Sequence, residues 1–158
     1  MKVAQVMKQD VKTCRAQDTL NTAAQTMWDD DCGCVPVTDA EGHVVGMITD
    51  RDVCMAAYTR GQPLGALRIE EAMSAAVCTC RPEDTVADAE MMMRAHQVHR
   101  LPAVDDGGRL VGILSLNDIA IYARQEPTAE KRAVRLAEVG ETLGAICQPR
   151  GPRVSAAA

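Results

Sequence analysis

The sequence contains no phenylalanine, and aromatic residues make up only 2% of its 158 residues. The core must therefore be built from Val, Ile, Leu, Met and Ala, which the apolar content of 47% allows. No apolar run approaches the roughly 18 residues of a membrane span. Residues 1–5 lack the apolar region of a signal peptide. We therefore expect a cytoplasmic protein with no membrane partner.

An excess of positive charge is also missing. The chain has 17 basic and 22 acidic side chains, which gives a net charge of −5. Proteins that bind nucleic acid usually present a basic field and a basic patch. We therefore expect no nucleic-acid partner.

The seven cysteines are an odd number, and the cytosol keeps thiols reduced, so a disulfide framework is not expected. The cysteine pairs in Cys32–Cys34 and Cys78–Cys80 are separated by one residue, whereas common zinc sites use two to four. We interpret the cysteines as small buried thiols. The three histidines, at positions 43, 96 and 99, are too scattered for a metal triad, and we expect neither a metal site nor a cofactor.

An internal repeat organises the chain. Between positions 7 and 60, sixteen of 54 residues are identical to the residue 66 positions later, where chance would give roughly four. A register held over this length indicates two copies of one structural unit. We place the copies at residues 1–62 and 63–126. The identical pairs include Thr13 with Thr79, Asp18 with Asp84, Pro36 with Pro102, Gly46 with Gly112, and Asp52 with Asp118.

Each copy predicts the order β-α-β-β-α. The first copy has strands at Val11–Cys14, Val35–Thr38 and Val44–Thr49, a helix after Asp18-Thr19, and a second helix at Asp50–Arg60. The second copy repeats the three strands and the start of each helix 66 residues later, with its second helix at about Leu116–Arg124. The fold class is thus α/β (α+β), with two units that pack their three-stranded sheets against each other around a pseudo-two-fold axis. We expect an extra helix over residues 127–147 and a disordered tail over 148–158.

The sharpest local pattern is a strand that ends in a hydroxyl residue, followed three residues later by an aspartate. It occurs as Thr49 with Asp52 and again as Ser115 with Asp118. Helix N-termini favour phosphate, and a carboxylate there can accept hydrogen bonds from two ribose hydroxyls. The alternative is a simple capping box, which needs the same residues. The duplication after the same glycine favours a binding site.

These features resemble the cystathionine-β-synthase (CBS) domain, and the pair resembles a Bateman module in a stand-alone bacterial-type protein. The resemblance covers about residues 1–125. It implies a regulatory module rather than an enzyme, with AMP, ADP, ATP or S-adenosylmethionine bound in a cleft between the repeats. The alternative is an oligomerisation scaffold without a bound nucleotide. The residues that carry the resemblance are 34–39 with Gly46–Asp52, and His99–Asp105 with Gly112–Asp118.

The resemblance also implies a role for each matching residue. Asp52 and Asp118 would hold ribose, with Thr49 and Ser115 near ribose and phosphate. His99 and Arg100 would contact phosphate, and the family pattern pairs them with Asp52 of the other repeat. The stretches that would meet the base contain Val11, Thr13, Val77 and Thr79.

The first repeat departs from this pattern, since Gly33 and Cys34 stand where the second has His99 and Arg100. An acidic run at residues 29–31 precedes them and, if it faces the cleft, would repel phosphates or hold those of ATP through Mg²⁺. We therefore expect two non-equivalent sites.

The second helices are expected to form an interface between copies of the chain. Residues Val53–Tyr58 and Ile119–Ala123 carry apolar side chains that one pair of repeats would leave exposed, and two-fold pairing is the commonest solution. We expect a homodimer that acts on an unidentified regulated protein.

Overall fold

The computed structural model describes residues 1–125 and 136–148. The start of the predicted C-terminal helix, up to residue 135, and residues 149–158 of the predicted tail lie outside the described residues. The elements are α1 (Leu20–Asp29), β1 (Cys34–Thr38), β2 (Val44–Thr49), α2 (Asp50–Arg60), α3 (Val86–His96), β3 (Arg100–Val104), β4 (Leu110–Ser115), α4 (Leu116–Gln125) and α5 (Leu136–Ile146), with 3-10 turns at Val3–Gln5, Leu64–Ala66 and Ile69–Glu71.

Each repeat is built on an antiparallel hairpin, β1 with β2 and β3 with β4. The two registers are equivalent, because Cys34 lies opposite Thr49 as Arg100 lies opposite Ser115. These hairpins and the helix that follows each of them confirm the predicted fold class. Two antiparallel sheets of this kind also exclude a single continuous parallel sheet among the described residues.

The predicted first strand of each unit is wrong in extent. Only Cys14 and Cys80 pair with the sheet, each through one isolated parallel bridge, to Val37 and Ala103. The amide of Cys14 donates to the carbonyl of Pro36 at 3.1 Å. The next bond of a parallel ladder would need an N–H from Pro36, and proline has none. The predicted first strand is therefore reduced to one paired residue in this repeat, and Pro102 has the same effect in the other repeat.

The first helix of each repeat begins where the sequence predicts. Thr19 caps α1 by accepting a hydrogen bond from the amide of Thr22 at 3.3 Å. Thr85 caps α3 and forms a reciprocal capping box with Asp88. The most enclosed side chains of these helices are Leu20, Ala23 and Met27 on α1, and Val86, Ala89 and Met93 on α3.

The opening segment of each repeat crosses to the other repeat. We call residues 1–8 and 67–74 the crossing segments. Lys8 and Ile113 exchange two backbone hydrogen bonds of 2.9 Å, so the first crossing segment lies against β4. Ser74 and Met47 exchange the equivalent bonds, at 2.9 and 3.0 Å, against β2. The repeats are therefore joined at two symmetry-related places.

The two hydrophobic cores follow this exchange. Val3 is fully buried in the core of the second repeat, together with Leu101 and Leu114. Leu67 and Ile69 are buried in the core of the first repeat. The cores therefore do not divide at residue 62, where the sequence repeat was divided, because each opening segment buries its apolar side chains against the other copy.

The hairpin turns of the two repeats meet as well. His43 and Arg109 form an antiparallel bridge, and the amide of Leu110 donates to the carbonyl of Gly42 at 3.0 Å. The paired residues of this bridge are 66 positions apart, so it lies on the pseudo-two-fold axis that relates the repeats. Together with the crossing segments, it fixes the repeats as one body.

Helix α5 packs on α3 and α4 and so covers part of the second repeat. Its contact includes a buried polar cluster in which the Arg94 guanidinium donates to the Thr142 hydroxyl at 2.9 Å, beside the buried Glu90 carboxyl. Burial raises the pKa of Glu90, the nearby charge of Glu138 adds to the rise, and the Thr142 hydroxyl and Arg94 oppose it.

The seven cysteines are all free thiols, but their burial differs from the prediction. Cys14, Cys34 and Cys80 are buried. Cys54 on α2 and Cys147 just after α5 are exposed. Burial is the main reason that the pKa of Cys80 is raised to about 12, so this thiol stays protonated at neutral pH.

Among residues 1–125 and 136–148, no helix combines the length and apolar content needed to cross a membrane.

Gly112 is predicted to be essential for the crossing. A Cβ at Gly112 would lie 2.9 Å from the carbonyl oxygen of Lys8, a backbone atom that cannot give way cheaply. Gly112→Ala should therefore destabilise the protein by about 1–3 kcal/mol, the usual cost of overpacking. Urea unfolding measures the difference. Gly65→Ala is the matched control, because a Cβ there meets nothing within 4 Å. Equal stability of the two variants would contradict this account.

The turn aspartates are predicted to make stability depend on acid pH. The Asp105 carboxylate accepts from the amides of Gly107 and Arg109, each at 2.9 Å. The Arg109 amide is the largest cause that lowers the pKa of Asp105. The stabilisation is therefore complete above the ordinary aspartate pKa of about 3.9 and is lost as the pH falls through the lower folded value.

Asp105→Asn should accordingly lower the Tm at pH 7 and have a much smaller effect near about pH 2. Thermal denaturation at both pH values measures this. Asp106→Asn, whose side chain is 92% exposed in the same turn, is the control and should have little effect at either pH. A pH-independent loss of Tm in Asp105→Asn would contradict the role of the charge.

Candidate functional site

Thr49 and Asp52 form one rigid unit at the start of α2. The Asp52 Oδ2 atom accepts hydrogen bonds from the Thr49 amide at 3.0 Å and from its hydroxyl at 2.7 Å. The Thr49 Oγ1 atom accepts from the Asp52 amide at 3.2 Å. The capping box that the sequence left as an alternative is therefore present. Because Oδ2 takes both bonds, the other carboxylate oxygen, Oδ1, is the one that can receive a ligand hydroxyl.

Ser115 and Asp118 repeat this unit at the start of α4. The Ser115 amide donates to Asp118 Oδ2 at 3.0 Å, the Ser115 hydroxyl donates to the same oxygen, and the Asp118 amide donates to Ser115 Oγ at 3.1 Å. Lys8 lies beside this unit, with its Nζ 3.9 Å from Asp118 Oδ1. The lysine side chain is 72% exposed and that of Asp118 only 11%, so the ammonium can move while the carboxylate is held.

Lys8 is a site residue that the sequence analysis missed. It reaches Asp118 only because the first crossing segment lies on β4. The repeat gave no signal for it, since the residue 66 positions later is Ser74. The unit around Asp52 therefore has no equivalent lysine.

Arg100 reaches from the second repeat towards the first. It begins β3 opposite Ser115, and its Nη2 atom lies 3.7 Å from the point where a Cβ on Gly33 would be. The Asp50 Oδ2 atom lies 3.3 Å from the same point. The guanidinium is thus next to the first residue of α2, the helix that Thr49 caps and on which Asp52 lies.

His99 is positioned differently from its neighbour. Its imidazole is exposed, and its carbonyl accepts a hydrogen bond from the Leu116 amide at 2.9 Å. Backbone geometry thus ties His99 to the start of α4.

Cys34 is the counterpart of Arg100 in the first repeat and is buried at 6% exposure. Burial raises the pKa of the Cys34 thiol, the positive charge of Arg100 opposes the rise, and Asp50 adds to it. Both charges therefore act at the same place. The surroundings of the two aspartates differ, with Asp50 two residues before Asp52 and Lys8 beside Asp118.

The residues predicted to meet a base differ in their surroundings. Val11 and Thr13 line a cavity of about 300 Å³ shared with residues 110–112, and also a cavity of about 670 Å³ against α1. Asp29 and Asp30 of the acidic run line the larger cavity. Val77 and Thr79 are half-buried and line neither cavity.

The two cavities therefore do not join the predicted site into one pocket. Neither is lined by the hydroxyl and carboxylate units, nor by His99 and Arg100. The structure brings together Thr49 with Asp52, Ser115 with Asp118, and Arg100 with the start of α2.

The turn of the first hairpin carries another polar group. Ligand atoms of Asp39, Glu41 and His43 lie within 4.8 Å of one another. Asp39 accepts from the His43 amide at 2.8 Å and bonds the His43 Nδ1 atom at 2.9 Å. The His43 side chain is the largest cause that lowers the pKa of Asp39. These bonds close the turn, and the absence of a metal site stays a prediction.

Comparison with known proteins agrees with the repeat. A family model described as the CBS domain matches residues 3–58 and 69–124, two copies 66 residues apart. The chain is 34% identical over 127 residues to the CBS domain-containing protein YhcV of Bacillus subtilis, covering 80% of this chain and 89% of that protein.

Solved structures show the same fold. The CBS domain pair of protein MJ0100, in complex with 5′-methylthioadenosine and S-adenosyl-L-methionine, is 26% identical with a TM-score of 0.70, over 77% of this chain and 94% of that one. The structure of CBSX2 in complex with AMP is 22% identical with a TM-score of 0.69, over 78% and 96% of the two chains.

Proposed function

We propose that this chain, which belongs to the CBS domain family and contains two copies of that domain, binds an adenine nucleotide or a related adenosyl ligand between its repeats. The CBS domain pair is a regulatory module rather than a catalytic one. The observation that carries this proposal is the reach of Arg100 to the start of α2. It brings a permanent positive charge close to the helix that holds the Asp52 carboxylate. AMP, ADP, ATP and S-adenosylmethionine are the candidate ligands.

The hydrogen bonds of the capping box prepare Asp52 for ribose. Thr49 fixes one carboxylate oxygen, and the other accepts the ribose hydroxyls, as acidic residues do in dinucleotide-binding folds. Arg100 supplies the fork of donors that suits phosphate, and His99, the residue before it, adds a further donor. Val11 and Thr13 are assigned to the base.

The second site is weaker or takes a different ligand. Ser115 and Asp118 offer the same ribose unit, with Val77 and Thr79 assigned to the base. Lys8 already lies by Asp118, so it can either turn to a phosphate or remain paired with the carboxylate. Mg²⁺ accompanies ATP where its phosphates meet the acidic run at residues 29–31.

A scaffold without a nucleotide is the second candidate. The observation that favours it is that Gly33 and Cys34 stand in the first repeat where the second repeat has His99 and Arg100. Under this alternative the capping boxes only begin their helices, and the module acts by assembling with its partner.

We also propose that the chain forms a homodimer in the cytoplasm and regulates a second protein. The predicted helix faces are only partly available, because Ile119 and Ala123 are fully buried. Met55, Tyr58 and Ile121 remain 46%, 82% and 56% exposed, and such apolar side chains are typical of an interface. Free thiols support a reducing compartment.

Calorimetric titration of AMP and ATP tests the site. Arg100→Ala should weaken binding by about 1.5–3 kcal/mol, the range for a hydrogen bond to a charged group. Asp52→Ala should weaken both nucleotides but hardly alter binding of free phosphate, and Asp118→Ala should have a smaller effect. Arg81→Ala, which removes an arginine at the hairpin-turn end of the second repeat, is the control. Equal affinities in all five proteins would place the ligand elsewhere, and no heat with the unaltered protein would favour the scaffold.

Light scattering tests the dimer. The unaltered protein should give about 34 kDa, twice the chain mass of 17.0 kDa. Tyr58→Asp combined with Ile121→Asp should give the mass of one chain, because a charge in an apolar interface loses its hydration. Met91→Asp, at another exposed methionine on α3, should leave the mass doubled. A mass of one chain for the unaltered protein at millimolar concentration would exclude the homodimer.

A further inference from the structure

Asp50 faces Arg100 across the start of α2 without forming an ion pair with it. Asp50 Oδ2 and Arg100 Nη2 both lie within 3.7 Å of the point where a Gly33 side chain would begin. Among the described residues, the ion pairs within 4.0 Å do not include these two. The opposite charges are therefore close but separated, and the absence of a side chain at Gly33 keeps the space between them open.

The position of Asp50 is fixed by the backbone around it. Its amide donates to the carbonyl of Gly33 at 3.2 Å, and its Oδ1 atom accepts from the Arg51 amide at 2.7 Å. The first carboxylate oxygen is thus used within the helix start, and the second oxygen is the one near Gly33. Asp50 is exposed, so a bound ligand would meet its charge directly.

Only the first repeat has this acidic residue. The counterpart of Asp50 is Leu116, which is 5% exposed in the core of the second repeat. The pair Thr49 and Asp52 is retained in both repeats, whereas the charge at the first helical position is not. The capping box therefore does not require an acidic residue at position 50. A negative charge there does stabilise the helix through its interaction with the helix dipole.

We infer that Asp50 is a specificity-determining residue, which makes the Asp52 site prefer adenosyl ligands with few or no phosphates over polyphosphates. This inference rests on the proposed function. A phosphate that approaches Arg100 also approaches the Asp50 carboxylate, and each added phosphate charge increases the repulsion. A neutral 5′ substituent avoids that cost, while a phosphate has to compete with Asp50 for the guanidinium.

The test is titration of 5′-methylthioadenosine, AMP and ATP, first without divalent ions. Asp50→Asn removes the charge and keeps an oxygen that can accept from the Arg51 amide. It should bind ATP about three- to tenfold more tightly, AMP by a smaller factor, and 5′-methylthioadenosine within about twofold of the unaltered protein. Asp106→Asn removes the same charge from an exposed turn and should leave all three affinities nearly unchanged. Thermal denaturation of each variant confirms that it is folded.

The outcomes separate this inference from the function on which it rests. If the unaltered protein binds none of the three ligands, the proposed function fails and the specificity role fails with it. If it binds them and Asp50→Asn changes all three affinities equally, or none of them, only the role of Asp50 is overturned. A repeat with Mg²⁺ distinguishes repulsion from metal bridging: weaker ATP binding by Asp50→Asn would show that Asp50 helps to hold the ion, which also overturns the inference.

Discussion

The exchange of the two crossing segments is the constraint on which the rest of the structure depends. Each segment places a buried apolar residue, Val3 or Ile69, in the core of the other repeat. Each also pairs with the second strand of that repeat through two backbone hydrogen bonds. Neither repeat therefore has a complete core of its own, and the orientation of one repeat fixes that of the other. Gly112 and Gly46 make this possible, because the segments pass where a Cβ would lie.

The candidate site follows from the same constraint. The capping boxes at Thr49 and Ser115 begin their helices and also fix one oxygen of each aspartate, so a single set of hydrogen bonds serves stability and orientation. The other repeat then adds a charged side chain to the surroundings of each aspartate. The crossing segment brings Lys8 to Asp118, while Arg100 extends towards α2.

Departures from the internal symmetry give the two halves different properties. Helix α5 covers the second repeat, where Arg94 bonds Thr142 in a buried cluster. The counterpart of Arg94 in the first repeat is Trp28, which is 85% exposed. The two helix layers therefore present different surfaces, just as the two aspartates have different charged neighbours. The two copies of the duplicated unit therefore differ in both their helix surfaces and their candidate sites.

The sequence by itself determined the local structure and the family. The 66-residue repeat, the turn residues and the caps at Thr19 and Thr85 predicted both hairpins, the start of the first helix of each repeat and the extent of the second helix to within a residue or two. These features depend on neighbours along the chain. It also identified the units of Thr49 with Asp52 and Ser115 with Asp118. The predicted extent of the first strand of each repeat was wrong. Pro36 and Pro102 shorten that strand only because their nitrogen atoms face it in the folded sheet, and the sequence does not show which strand a proline faces.

Only the tertiary structure decided which residues meet across the repeats. The crossing segments, the contact of Lys8 with Asp118, and the approach of Arg100 to Asp50 join positions between 27 and 110 residues apart. No local pattern encodes such contacts, and the repeat hides them, because Ser74 and Leu116 replace Lys8 and Asp50 at the matching positions. The two candidate sites differ because folding brings Lys8 of the first repeat to Asp118 and Arg100 of the second repeat to the start of α2.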